Sequence, residues 1–232
     1  MITIKDLSKA FNQQVAVNIS DLHIGKNELV GLVGNNGAGK TTLLRLILDL
    51  YQADKGYVLS KGINVAQSED WKIYTGAFID SGFLIDFLYP NEYFDFIGRL
   101  HQFSKEEIKE RLSQFEKFAS GEIFGQKKYI RNFSAGNRQK IGIIGAMFTH
   151  PEILLLDEPF NFLDPSSQNE MKRLLAYYQK EYGCTLLISS HNLEHITDIC
   201  SRVILLEKGL IIKDLLGNYS ETAQELQTYF LQ

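Results

Sequence analysis

Cysteine is scarce: Cys184 and Cys200 are the only two in 232 residues. Neither has a CxxC partner, so a zinc site or a disulfide framework has too few ligands to form, and the pair reads as buried thiols in a reducing compartment. Proline is equally sparse, at four residues. Together with the lack of biased tracts, repeats of 20 to 50 residues and linker-like stretches, this excludes collagen, repeat arrays and extensive disorder. No apolar run approaches the ~20 residues that span a bilayer; residues 141–151 fall far short. The opening Met1-Ile2-Thr3-Ile4-Lys5-Asp6 carries charge where a secretory signal needs an apolar core. No export signal is expected, and any membrane role falls to a partner. Charge of one sign is lacking too: 28 acidic against 24 basic residues give a net charge of −4. That balance offers no global attraction to nucleic acid or anionic lipid, and no nucleic-acid partner is expected.

What the chain does have is apolar material, 44% of its residues. A chain of this length can bury roughly three quarters of its unfolded surface. Alternation at Ile2, Ile4, Leu7, then Val15, Val17, Ile19, Leu22 and Ile24 predicts strands of an antiparallel sheet. Leu29-Val30-Gly31-Leu32-Val33 reads as a short buried strand, followed by a glycine-rich loop and a helix over residues 40–51. A hairpin is expected at 56–65. Ten aromatics then crowd residues 71–103, most of them expected to fill a core and a few to stay exposed. Helices are predicted over 90–103, over 104–120 behind a Ser104-x-x-Glu107 capping box, over 134–150, over 166–182 closed by Gly183, and over 193–201. Apolar strands are expected at 153–157, 184–189 and 203–207. This alternation of strand and helix predicts a mostly parallel core sheet.

Four sequence features carry chemistry. Gly34-Asn35-Asn36-Gly37-Ala38-Gly39-Lys40-Thr41 fits GxxxxGK[ST] between strand and helix. In that pattern backbone N–H groups close around phosphate oxygens at a helix N-terminus. Lys40 reaches the β and γ phosphates, Thr41 ligates Mg²⁺, and Thr42 adds a phosphate contact. The competing reading is an ordinary glycine-rich turn; a GxGxxG dinucleotide fingerprint does not fit the glycine positions 31, 34, 37 and 39. The strand ending in Asp157-Glu158-Pro159 supplies Asp157 for the Mg²⁺ shell and Glu158 to polarise an attacking water, against the alternative of a solvated sheet edge. Ile188-Ser189-Ser190-His191 delivers His191 to the same sheet edge, facing the γ-phosphate, unless it is an ordinary surface histidine. Finally, Ser134-Ala135-Gly136-Asn137 opens a helix as an N-cap and anion-binding terminus, or as a plain capped helix.

Taken in order, the phosphate loop, Phe133 to Lys140, Leu155-Leu156-Asp157-Glu158-Pro159, Leu163-Asp164 and His191 resemble the motifs of ATP-binding cassette (ABC) ATPases over nearly the whole chain. The resemblance implies an α/β P-loop NTPase (RecA-like) fold with a mostly parallel sheet core, a small antiparallel β subdomain and a helical insert subdomain. It implies one domain, 1–232, with 1–79 and 151–232 as core and antiparallel subdomain and 80–150 as the helical subdomain carrying the signature loop. Phe11 takes the place of the aromatic that stacks on adenine, or is a core phenylalanine. Asp164 matches a loop that communicates across a dimer. Asp80 stands where the family usually has a glutamine near Mg²⁺, and is a candidate metal ligand beside Thr41 and Asp157. Ala135, Asn137 and the bulky Phe162 depart from the family pattern.

By the same resemblance, ATP and Mg²⁺ are the cofactors. Two cassettes, as a homodimer or a pair, sandwich two ATP molecules, each phosphate loop facing the other chain's Ser134 and Gly136. Hydrolysis through Glu158, His191 and Lys40 then reopens the pair. The implied function is the ATP-binding and ATP-hydrolysing subunit of an ABC transporter, of the exporter type linked to antibiotic or multidrug efflux. It would work with a transmembrane permease subunit and sit in the cytoplasm on the inner face of the cell membrane. The alternative is a soluble ABC ATPase, for example in iron–sulfur cofactor assembly.

Overall fold

The computed structural model describes residues 1–217; the end of the expected core segment 151–232, residues 218–232, lies outside the described residues. β1 (Ile2–Phe11) and β2 (Gln14–Ile24) pair antiparallel from Ile2↔Ile24 to Phe11↔Gln14. Asn12 and Gln13 join them, both left-handed at φ 46° and 67°, the two-residue turn whose twist matches that of the strands. β3 (Leu29–Val33) leads through the glycine-rich loop into α1 (Lys40–Ile47). β4 (Lys55–Ser60) and β5 (Ile63–Asn64) return as a hairpin, placing β4 beside β1.

Beyond a short 3-10 turn and β6 (Thr75–Phe78) the chain leaves the sheets. It forms α2 (Pro90–Leu100), α3 (Lys105–Ser113), α4 (Glu116–Ala119) and α5 (Ala135–Met147) before β7 (Ile153–Leu156). Then follow α6 (Pro165–Tyr182), β8 (Thr185–Ser190), α7 (Leu193–Thr197), β9 (Arg202–Glu207) and β10 (Leu210–Leu216).

The result is a four-stranded antiparallel sheet, β2-β1-β4-β5, and a six-stranded sheet, β10-β9-β3-β8-β7-β6. Neighbours are parallel from β9 to β6, and β10 adds an antiparallel edge. Period-two alternation splits each central strand between two cores. Val30, Leu32, Ile153, Leu155, Leu187 and Ile204 join α1 and the antiparallel sheet. Leu29, Val33, Leu154, Leu156, Leu186 and Leu205 face the helices of the other layer. Arg202 ties the edges together, donating to both oxygens of Asp214, to Glu28 and to the His23 carbonyl.

Three helices end earlier than the sequence periodicity predicts, for one physical reason. Asp49 (φ 51°), Gln102 (φ 62°) and His150 (φ 56°) adopt the left-handed conformation after α1, α2 and α5, the role usually taken by glycine. The expected helix 104–120 is two helices, because Phe115 leaves helical geometry between α3 and α4. The helix from 193 stops at Thr197. Gly183, at φ 61°, closes α6. Both cysteines are buried and unpaired, with burial pushing the Cys184 thiol up to about 12. Of the ten aromatics in 71–103, only Phe83, Phe87 and Phe96 are exposed. Among the described residues no helix is long and apolar enough to cross a membrane.

Candidate functional site

The glycine-rich loop begins where β3 leaves the sheet. Gly34, Gly37 and Gly39 have φ of 158°, 82° and 107°. A Cβ on Gly34 would collide with the Leu206 carbonyl, and one on Gly39 with the Ala16 carbonyl, whereas a Cβ on Gly37 would meet nothing. The loop is thus pinned on two sides and open at its exposed mouth, Asn35 to Gly37. Ala38 N–H donates to Asn35 O, closing the turn. α1 starts at Gly39 with no side-chain cap and no acidic residue in its first turn, which leaves its positive end for an anion. Thr41 and Thr42 lie half-buried in that turn.

Lys40 is buried and folds back over the loop, donating to Gly34 O at 2.6 Å and Asn35 O at 3.3 Å. Its Nζ lies 3.6 Å from Glu158 Oε1. Thr41 Oγ1 donates to Asp157 Oδ2 at 2.5 Å, and Ser189 Oγ donates to Asp157 Oδ1. Burial raises the Asp157 carboxyl above its ordinary value, and the hydrogen bonds from Ser189 and Thr41 pull against that shift. Glu158 Oε2 accepts from His191 N–H at 3.3 Å and lies 2.9 Å from His191 Nδ1. Parallel β7 and β8 carry these groups to one edge because Leu156 pairs with Ile188, leaving Asp157, Glu158, Ser189 and His191 just beyond.

Phe11 sits at the end of β1, 41% exposed, so it is no core residue. The ring meets Tyr51 edge-on at 5.4 Å. Its hairpin touches the phosphate loop through Ala16 and Gly39, so an aromatic face lies on the unit that frames the cradle.

Ser134 caps α5, accepting from Asn137 N–H. A Cβ on Gly136 would lie 2.5 Å from the Phe162 carbonyl oxygen. Gly136 therefore abuts the 158–164 loop, and among the described residues neither Ser134 nor Gly136 hydrogen-bonds the phosphate loop. Asp164 caps α6, accepting from the Ser166 and Ser167 amides and the Ser167 hydroxyl. Phe162 is 73% exposed and left-handed, with φ 63°.

Asp80 is engaged outside the Thr41–Asp157 pair: its Oδ1 accepts from Gly82 N–H at 2.6 Å and its Oδ2 from Arg45 Nη2 at 3.1 Å. Arg45 also donates to the Tyr51 hydroxyl. Of the three candidate metal donors, Thr41 and Asp157 hydrogen-bond each other directly. Two residues that sequence reasoning left without a role enter the site, Ser189 and Gln139. The signal available for Ser189 is a serine directly following the apolar run Leu186-Leu187-Ile188 in a buried strand.

A family model described as ABC transporter matches residues 17–161. The chain belongs to the ABC transporter family. The ABC transporter ATP-binding protein NatA of Bacillus subtilis (strain 168) is 34% identical over 223 residues, covering 91% of this chain and 88% of that protein. Methionine import ATP-binding protein MetN 1 of Shouchella clausii (strain KSM-K16) is 33% identical over 224 residues, covering 92% of this chain and 64% of that protein. A solved dimer of the ATP-binding cassette MJ0796, in a post-hydrolysis state bound to ADP and Pi, has a TM-score of 0.83 at 23% identity. It covers 93% of this chain and 98% of that one, and this likeness establishes the fold. As a member of the ABC transporter family, the chain is an ATP-binding subunit and an ATPase.

Proposed function

We propose that this ABC cassette grips ATP in the loop 34–42, hydrolyses it through Glu158, and passes the resulting motion to a separate transmembrane permease. The observation that carries the reading is one hydrogen-bonded chain, Thr41 to Asp157 to Ser189 to the Glu158 amide, closed by His191 on the Glu158 carboxylate. Lys40 lies inside it.

Mg²⁺ fits the donors present, since Thr41 and Asp157 offer adjacent hard oxygens on a buried wall; when bound, it would neutralise charge on the phosphates. Lys40 trades its loop carbonyls and Glu158 for phosphate oxygens. Gly34 to Gly39 and Thr42 supply backbone and hydroxyl donors, and Phe11 stacks on the base. Glu158, freed from Lys40, orients and polarises water. His191 holds that carboxylate and donates toward the γ-phosphate. Positioned proton transfer of this kind contributes ~10² to 10⁴-fold in rate.

Ser134 and Gly136 make no hydrogen bond to the phosphate loop among the described residues; in this reading they complete the site of a second cassette, so ATP favours the closed pair. Among the described residues, the core, 1–79 and 151–217, and the helical subdomain, 80–150, move as two bodies in this reading. Between them a cleft of about 270 Å³ is lined by Leu48, Leu50, Trp71, Phe83, Leu84 and Tyr93, and it receives a cytoplasmic segment of the permease. The chain then works on the inner face of the membrane. Export is the direction adopted, following the exporter-like Leu-Asp-Glu-Pro context; the import names of several relatives point the other way.

Affinity purification from detergent-solubilised native membranes tests the reading. Recovery with a polytopic membrane protein, and ATP-driven uptake into inside-out vesicles, are expected. Recovery with a soluble scaffold favours cofactor assembly instead, and unchanged nucleotide binding by Lys40→Ala overturns the phosphate assignment.

A further inference from the structure

Glu158 is the second residue past β7, and its backbone is left-handed at φ 48°, a conformation that a side chain disfavours. Both ends of its own peptide units are held by buried side chains from other elements. Its N–H donates to Ser189 Oγ at 2.9 Å, and its carbonyl accepts from Gln139 Nε2 at 3.0 Å. Ser189 is fully buried and Gln139 is 6% exposed. A buried hydroxyl or amide is costly unless it is hydrogen-bonded; Gln139 meets that need at the Glu158 carbonyl, while Ser189 accepts from the Glu158 amide and donates to Asp157 Oδ1. Ser189 comes from β8, which also carries His191. Gln139 comes from α5, whose N-terminus is Ser134.

We propose that Ser189 and Gln139 are positioning residues that clamp the left-handed Glu158 backbone and so set the direction of its carboxylate. Gln139 also links the attitude of α5 to that carboxylate within one chain. A tilt of α5 that strains the Gln139 bond relaxes Glu158 away from the 2.9 Å approach to His191. Movement at the Ser134 end of the helix thereby reaches the group that activates water. The inference rests on the reading of Glu158 as that group.

Gln139→Leu keeps helix propensity and approximate volume while removing the donor; Ser189→Ala removes the hydroxyl and Ser189→Thr retains it. In nucleotide-free protein, hydrogen exchange at the Glu158 amide is expected to accelerate by about tenfold or more in Gln139→Leu and in Ser189→Ala. In Ser189→Thr it should stay close to wild type. With ATP and Mg²⁺, kcat is expected to fall about 10- to 100-fold, while KM and the affinity for a fluorescent ATP analogue stay within about threefold.

In single-turnover measurements on a Glu158→Gln background, Gln139→Leu should cost less than about twofold further, because the group it positions is already gone. Ser189→Ala could fail to fold, and Gln139→Leu carries the test alone in that case. The proposal is overturned if Gln139→Leu leaves both exchange at Glu158 and kcat within about twofold of wild type. It is also overturned if Gln139→Leu slows Glu158→Gln by the factor it costs wild type. Failure of the underlying reading is seen separately, as wild-type turnover by Glu158→Gln itself.

Discussion

Replacing Glu158 with glutamine removes a charge and almost no volume, and its cost to stability should be offset once nucleotide is bound. Without ATP, Glu158 is the counter-charge of Lys40 across 3.6 Å, with only 7% of the lysine side chain and 20% of the glutamate side chain exposed. At an effective dielectric near 20 the gross attraction is about 4–5 kcal/mol. Desolvation of the two groups consumes much of it, and Lys40 keeps its bonds to Gly34 O and Asn35 O in the variant. A net loss of about 1–2 kcal/mol remains, which in a chain of this size lowers the melting temperature by about 2–8 °C. With ATP the phosphates replace the missing carboxylate. Nucleotide at about 100 times its dissociation constant adds about 2.7 kcal/mol, so the variant should melt about 5–11 °C higher than without it, and phosphate release should drop at least about 10²-fold. Differential scanning fluorimetry with and without ATP and Mg²⁺, a phosphate-release assay and size-exclusion chromatography read all three, the last expecting a trapped ATP-bound dimer. An unchanged or raised melting temperature in the nucleotide-free variant would refute the counter-charge argument, and release within tenfold of wild type would refute the role of Glu158.

Asp80→Asn should leave the Mg²⁺ concentration for half-maximal ATPase activity within about twofold of wild type, because the carboxylate is engaged by Arg45 and Gly82; a tenfold shift in a Mg²⁺ titration restores it as a ligand. Phe11→Ala should weaken ATP binding about tenfold through lost base stacking yet barely alter binding of inorganic tripolyphosphate, as calorimetry can compare. His150 stacks on Tyr182 at 4.1 Å; burial, and then Arg111, lowers its pKa from 6.5 to about 4. Between those values the unfolded chain holds a proton that the folded protein does not, so this contribution to stability is complete above pH 6.5 and is lost as pH falls toward 4. His150→Asn, which suits the left-handed backbone and does not titrate there, should flatten the melting-temperature profile across that window; an unchanged slope removes His150 from the account.

Much of the architecture was legible because strong local signals coincide with tertiary need. The phosphate loop, the alternation of β1 and β2 and the Gly183 stop of α6 are each written in residue type. Helix ends were less legible, since Asp49, Gln102 and His150 turn left-handed without being glycine, held there by neighbours that no local pattern names. β6 was missed as a strand because Thr75-Gly76-Ala77-Phe78 has no periodicity; Gly76 serves instead to let the Ala146 carbonyl approach. β10 alternates only weakly on an edge. At the site, the resemblance points Asp80 toward a metal role, whereas its pairing with Arg45, 35 residues earlier, has no signature in the motif. Gln139 and Ser189 meet Glu158 only when three elements converge, and a single sequence has no means of encoding that convergence in spacing.

The helical excursion departs after β6 and returns at β7, and those strands are immediate parallel neighbours, with Thr75 opposite Ile153. Topologically it is an overgrown crossover whose final segment, α5, lies on Phe78 so closely that Gly142 has no room for a side chain. Residues gained or lost further out, between the end of β6 and the start of α5, therefore lengthen a connection without shifting any ladder, which leaves that part of the molecule free to diverge while the scaffold beneath it stays put.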